Sequence, residues 1–166
     1  MLLWLAMTIY VLRHGIAEDA APGQADSERR LTQEGERKLR RVLARAREAG
    51  VRPERIITSP YVRARATAAI AADELGFRDQ LIETDRLEPH IGVSELWDEV
   101  RVLAGSGSAM LVGHNPQLSA FVSMAIGCSG YGVEMKKAGL AALDVYGSGP
   151  GLRAGLSWLL TPKTAG

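Results

Sequence analysis

Three short apolar runs, residues 8–12 (TIYVL), 55–58 (RIIT) and 108–112 (SAMLV), the first two rich in β-branched residues, alternate along the chain with stretches of helical period. Strands that alternate with helices have few ways to bury both. The economical one is a mostly parallel sheet with helices on its two faces, a three-layer α/β/α sandwich. Residues 81–84 give a weaker strand, and residues 93–103 a helix. Two further strands, 139–146 and 152–160, flank a glycine-rich connection at 147–151 of the kind that joins a hairpin. A length of 166 residues fits one domain spanning 1–166.

The helix boundaries carry chemical signals. Thr32 opens a helix whose first turn holds Glu34 and Glu36, where negative charge suits the dipole. Leu39, Val42, Leu43 and Ala46 line one face, and Gly50 with Pro53 ends it. Arginines at 37, 40, 41, 45 and 47 cover the rest. They form either a solvated face or a docking surface for an acidic partner protein. Ser59-Pro60 reads as an N-cap followed by proline at the first helical position of a helix that closes on Gly76. Asn115-Pro116 repeats that device ahead of Leu118, Phe121, Val122 and Ala125. Between Gly15 and Leu31 no period appears, and a loop of that length is often functional.

Charge and cysteine content narrow the function classes. Twenty basic and 19 acidic residues leave a net charge of +1, so there is no global field to draw nucleic acid or an anionic membrane. Any anion site must be local. A single cysteine, Cys128, favours a reducing compartment and a cytoplasmic location. The opening MLLWLAMTIYVL has no basic leader and is too short to span a bilayer, so it reads as a buried first strand. Met7 is an alternative start, which would make residues 1–6 a frayed extension.

Each of the three apolar runs ends in a cationic or imidazole-bearing segment: Arg13-His14-Gly15, Ser59-Pro60 with Arg63, and Gly113-His114-Asn115-Pro116. Singly these are ordinary: a surface turn, a helix cap, an exposed arginine, a capped turn. Ligands of open α/β sheets, however, bind outside the carboxyl ends of the strands. If the three strands are neighbours, two arginines, two histidines and two helix N-termini meet there. Arginine forks fit phosphate oxygens in pairs, and helix N-termini add N–H donors. The combination favours a phosphate dianion.

The order of these motifs, with Ala64 and Thr67 following Arg63, resembles the histidine phosphatase superfamily, which is phosphoglycerate-mutase-like. Chain length and Arg30-Leu31-Thr32 resemble its SixA-type phosphohistidine phosphatases. Leu87-Glu88-Pro89, Lys136-Lys137-Ala138-Gly139 and residues 158–163 add to the likeness. The resemblance implies a phosphatase that needs no metal and no cofactor. His14 would be the nucleophile, Arg13 and Arg63 would bind phosphoryl oxygens, and His114 would complete a pocket that Gly15 and Asn115 also line. The implied substrate is phosphohistidine on a protein, with a small phosphate ester as the alternative. A phosphate-sensing module without catalysis is a third reading, disfavoured because a binder needs no nucleophile.

The general acid is open. Glu88 is the first candidate, with Glu18 and Asp19 behind it. Lys136 and Lys137 read as rim residues. A metal set of His14, His90 and His114 with a carboxylate can be drawn, but the arginines would repel a cation and no close histidine spacing exists.

Overall fold

The strands hold the hydrophobic, β-branched runs, and their side chains alternate between two buried faces. The computed structural model describes residues 7–129 and 131–166, so residues 1–6, where the alternative start falls, lie outside the description. In chain order the elements are β1 (Met7–Arg13), α1 (Gln33–Glu48), β2 (Arg55–Thr58), α2 (Val62–Leu75), β3 (Ile82–Glu83), α3 (Val93–Leu103), β4 (Ser108–Gly113), α4 (Gln117–Ala125), β5 (Leu140–Val145) and β6 (Ala154–Leu160). The sheet order is β3-β2-β4-β1-β5-β6. Strands β1, β2, β3 and β4 pair in parallel, and β5 runs antiparallel to both its neighbours, β1 and β6. The expected mostly parallel α/β/α sandwich is what forms.

Alternation along the central strands divides the core. Ile9 and Val11 of β1, with Ala109 and Leu111 of β4, face Leu96, Trp97, Leu118 and Phe121 from α3 and α4. Leu12, Met110 and Val112 point the other way, onto Leu39, Val42 and Leu43 of α1 and Ala64, Ala68 and Ala71 of α2. With both faces covered, β1 and β4 are fixed in register, and their carboxyl ends emerge side by side at Arg13 and Gly113.

Thr32 caps α1 as expected, its Oγ1 accepting from the Gly35 N–H at 2.9 Å. Gly76 closes α2 with a left-handed φ of 69°, which glycine adopts without steric cost. Two helix starts differ from the sequence reading. The second helix begins at Val62 with Tyr61 as its cap residue, two positions past Ser59-Pro60. Ser59 stays with the sheet, its N–H donating to the Val112 carbonyl at 3.0 Å. Pro116 is itself the cap residue of α4, not its first helical residue, although Asn115 Oδ1 still accepts from the Ser119 N–H at 3.2 Å.

The long 16–31 loop is tied at its neck. Ala17 and Leu31 form an antiparallel bridge, and the Glu18 N–H donates to the Arg30 carbonyl at 2.8 Å. One short 3-10 turn, Asp26–Glu28, lies within it. Among the described residues no helix is long and apolar enough to cross a membrane.

Candidate active site

The exits of β1, β2 and β4 bring His14, Ser59 and His114 together. The His14 N–H donates to the Gly113 carbonyl at 3.0 Å, and the Ser59 N–H to that of Val112 at 3.0 Å. The imidazoles lie tilted, 5.0 Å apart between ring centres. Both are buried, with relative exposures of 6% for His14 and 1% for His114.

His14 Nδ1 lies 2.7 Å from the carbonyl oxygen of Gly15. A carbonyl can only accept, so Nδ1 carries the proton and Nε2 the lone pair. Arg63 Nε–H donates to that Nε2 at 3.3 Å. Burial, first of all, pulls the pKa of His14 from 6.5 to about 4; the Gly15 bond opposes this, and Arg63, Arg13 and Lys137 add to it. His114 falls to about 3, through burial and then through His14 and Arg63. Both rings are therefore neutral near pH 7.

Three further groups hold the Arg13-His14-Gly15 turn. The Gly15 N–H donates to Thr67 Oγ1 at 3.2 Å, and that hydroxyl donates to the Arg63 carbonyl at 2.7 Å. The Ala138 N–H, in a residue with φ of 59°, reaches the carbonyls of Arg13 and His14 at 3.1 and 3.0 Å. Gly35 of α1 packs against the backbone of Ile16 so closely that a Cβ there would overlap the Ile16 carbonyl.

Arg63 is 4% exposed. Its Nη1 donates to the backbone carbonyl of Asp26 at 2.6 Å and its Nη2 to Asp26 Oδ2 at 2.9 Å. The outer fork is thus braced by the long loop, while Nε faces His14. Burial tends to raise the Asp26 pKa, but hydrogen bonds from Arg63 and Arg29 win and lower it. Asp26 is therefore an anion near neutral pH. Sequence reasoning missed it, and the one available signal was an acidic residue in a long aperiodic loop.

Arg13 is half-buried, its Nη1 donating to the Met135 carbonyl at 2.9 Å. Its Nε is buried without an acceptor among the described residues. His114 Nε2 is 2.8 Å from Ser59 Oγ, which also accepts from the Tyr61 N–H at 3.3 Å. If the Ser59 hydroxyl donates to Nε2, His114 Nδ1 carries the proton, and Nδ1 too is buried with no partner among the described residues. Arg13 Nε and His114 Nδ1 thus stand together in one cationic cluster, a setting that suits an anion. The Tyr61 ring packs against both His114 and the Arg63 guanidinium, at 4.8 and 5.0 Å.

The other expected residues are less central. Asn115 spends its amide inside the protein, donating to the Met135 carbonyl at 3.0 Å and accepting from the Ser119 hydroxyl at 2.8 Å, so it braces the pocket wall. Glu88 is largely shielded, and it lies close enough to Tyr61 to help burial raise that phenol's pKa. Its loop is held by Gln117, whose Nε2 donates to the carbonyls of Arg86 and Ile91 at 2.6 and 3.0 Å. Glu18 and Asp19 are exposed on the outer loop. His90 is 68% exposed at its side chain and turned toward Glu88, 3.7 Å away, so the structure does not assemble it with His14 and His114. No cluster of three potential metal ligands occurs among the described residues.

Residues 9–101 match the family model of the histidine phosphatase superfamily (branch 1). An uncharacterised protein of Picosynechococcus sp. (strain ATCC 27264 / PCC 7002 / PR-6) is 38% identical over 139 residues, which cover 82% of this chain and 84% of that one. Among solved structures, the protein histidine phosphatase SixA complexed with tungstate superposes with a TM-score of 0.83 at 22% identity, over 95% of this chain and 98% of that one. The mycobacterial glucosyl-3-phosphoglycerate phosphatase superposes with a TM-score of 0.68 at 19% identity, over 92% and 97%. With its strand-exit histidines and arginines gathered on a matching fold, the chain belongs to the histidine phosphatase superfamily, branch 1.

Proposed function

We propose that this protein hydrolyses phosphohistidine on proteins through a covalent phosphohistidine at His14. The observation that carries the reading is the fixed tautomer of His14. The Gly15 carbonyl holds the Nδ1 proton, which leaves the Nε2 lone pair beside Arg63. A buried imidazole whose pKa is near 4 keeps that lone pair at neutral pH.

In the first step His14 Nε2 attacks phosphorus, and the bond from phosphorus to the substrate imidazole breaks. The leaving imidazole takes a proton from water. In the second, water attacks the phosphoenzyme, the His14 N–P bond breaks, and inorganic phosphate leaves. Arg13, Arg63 and the N–H of His114 bind the phosphoryl oxygens and offset the charge that otherwise repels a nucleophile. Covalent capture divides one slow hydrolysis into two faster steps. Glu88 is the carboxyl group assigned to protonate an oxygen leaving group; Asp26 suits this poorly because its arginine partners hold it as an anion. Phosphohistidine needs that acid least, because the leaving imidazole is itself basic.

A second reading keeps the mechanism and changes the substrate to a small phosphate ester. It is supported by the fold match to a sugar-phosphoglycerate phosphatase, since the pocket donors read only the phosphoryl group. Turnover of a phosphohistidine peptide, a phosphoserine peptide, a sugar phosphate and an aryl phosphate separates the two. An alkaline quench should trap an acid-labile phosphoenzyme in the wild type and none in His14→Ala. Full activity in His14→Ala would sink the mechanism, and a stable phosphoenzyme without turnover would favour a binding module. Activity should survive EDTA.

A further inference from the structure

Beside the pocket runs an open groove of about 770 Å³ whose walls include Arg13, Lys38, Arg41, Lys136, Lys137 and Lys163. The other four lining residues are uncharged, and no acidic side chain among the described residues lines it. The chain as a whole carries only +1, so this is a local concentration of positive charge. Lys38 is paired with Glu34 at 2.7 Å and Lys136 with Glu134 at 2.8 Å. Arg41, Lys137 and Lys163 form no ion pair among the described residues.

The groove and the pocket share a wall. Arg13 belongs to both, and Lys137 lies near enough to His14 to oppose its protonation. We propose that this groove binds acidic residues flanking the phosphorylated histidine of a protein substrate, an inference that rests on the phosphohistidine reading above. A second fixed anion, such as another phosphate on a small molecule, would call for buried, pre-oriented donors. Here Arg41, Lys136, Lys137 and Lys163 are exposed at the ends of flexible stems. Such stems suit carboxylates spread along a peptide. They act by complementary potential and not by one tight contact. Part of the arginine face of α1 thus gains a use through Arg41, which points the basic surface toward the site.

Three phosphohistidine peptides with a common centre and acidic, neutral or basic flanks provide the test, with an aryl phosphate as a control that has no flanking residues to place in the groove. For the wild type at low salt, kcat/KM should favour the acidic peptide over the neutral one roughly tenfold, mainly through KM, because several exposed pairs each contribute a few-fold at most. High salt should erase that preference. In Arg41→Glu/Lys163→Glu the ratio should fall to near one, while the aryl phosphate is turned over as before. Both positions are exposed, so the variant should fold. Equal kcat/KM for acidic and neutral peptides in the wild type, or a preference that persists in the variant, would overturn the proposal and leave the phosphohistidine reading standing. Failure of the wild type to turn over any of the three peptides would overturn both.

Discussion

Acidification from pH 7 to pH 5 should destabilise this fold through two histidines that it buries in neutral form. The usual pKa of each is 6.5, and the folded protein lowers them to about 4 for His14 and about 3 for His114. Between those values and 6.5 the unfolded chain binds protons that the folded chain refuses, so stability rises with pH there and is lost as pH falls. At pH 5 the unfolded histidines are almost fully protonated and the folded ones almost fully neutral. Relative to pH 7 this amounts to about 2 kcal/mol for each ring and about 3–4 kcal/mol for the pair. For a chain of this length, that predicts a melting temperature lower by roughly 6–16 °C. Asp26, whose pKa is lowered, stays ionised across the window and adds no slope. Scanning calorimetry in phosphate-free buffers would measure the shift; phosphate must be left out because an anion bound only by the folded state would mask it. The reasoning fails if melting is unchanged between pH 7 and 5. It fails equally if His14→Gln/His114→Gln shows the same drop as the wild type.

Three substitutions examine the supports of the site. Asp26→Asn weakens the brace on Arg63, and kcat/KM for an aryl phosphate should fall about fivefold, since Asp26 is half exposed and its charge partly screened; unchanged kinetics would show that the backbone carbonyl of residue 26 holds Arg63 without the carboxylate charge. Gly35→Ala inserts a methyl into the backbone of Ile16, so stability should drop by about 1–3 kcal/mol and activity with it as the His14 turn shifts. Chemical denaturation would show this as a lower midpoint with an unchanged slope. Thr67→Val keeps the shape but leaves the Gly15 N–H without its acceptor, at a cost of about 1–3 kcal/mol. A variant as stable as the wild type would mean that the N–H finds water instead.

Much of the fold was legible because its signals are local. Residues 55–58 and 93–103 coincide with β2 and α3, since the first is a β-branched run between breakers and the second is amphipathic over three turns. Gly76 could be read as a helix end because a positive φ is a property of one residue. The two misplaced helix starts mark where local reasoning stops. Ser59 has the chemistry of a cap, but a histidine 55 residues away takes its hydroxyl, and the helix begins later at Val62. Proline at 116 satisfies the rule for a first helical residue, yet the chain enters the helix one residue beyond it.

The site divides along the same line. His14, Arg63 and His114 were visible because strand exits converge in a parallel sheet, whatever the loops do. The contacts that orient them and Arg13 were not, because half of these end on backbone carbonyls. Met135 receives Arg13, Gly15 receives His14, and Asp26 receives Arg63 through its peptide oxygen as well as its carboxylate. Any residue type supplies a carbonyl, so such contacts leave no trace in a sequence. They also have an electrostatic consequence. A carboxylate partner orients a guanidinium and cancels its charge, whereas a carbonyl orients it and leaves most of the charge in place. Arg13 is held almost wholly in the second way, and Arg63 shares one half-exposed carboxylate with Arg29. Burial and these retained charges together keep both histidines neutral, so one arrangement combines a positive potential with an uncharged imidazole, the two properties that the proposed attack by His14 requires.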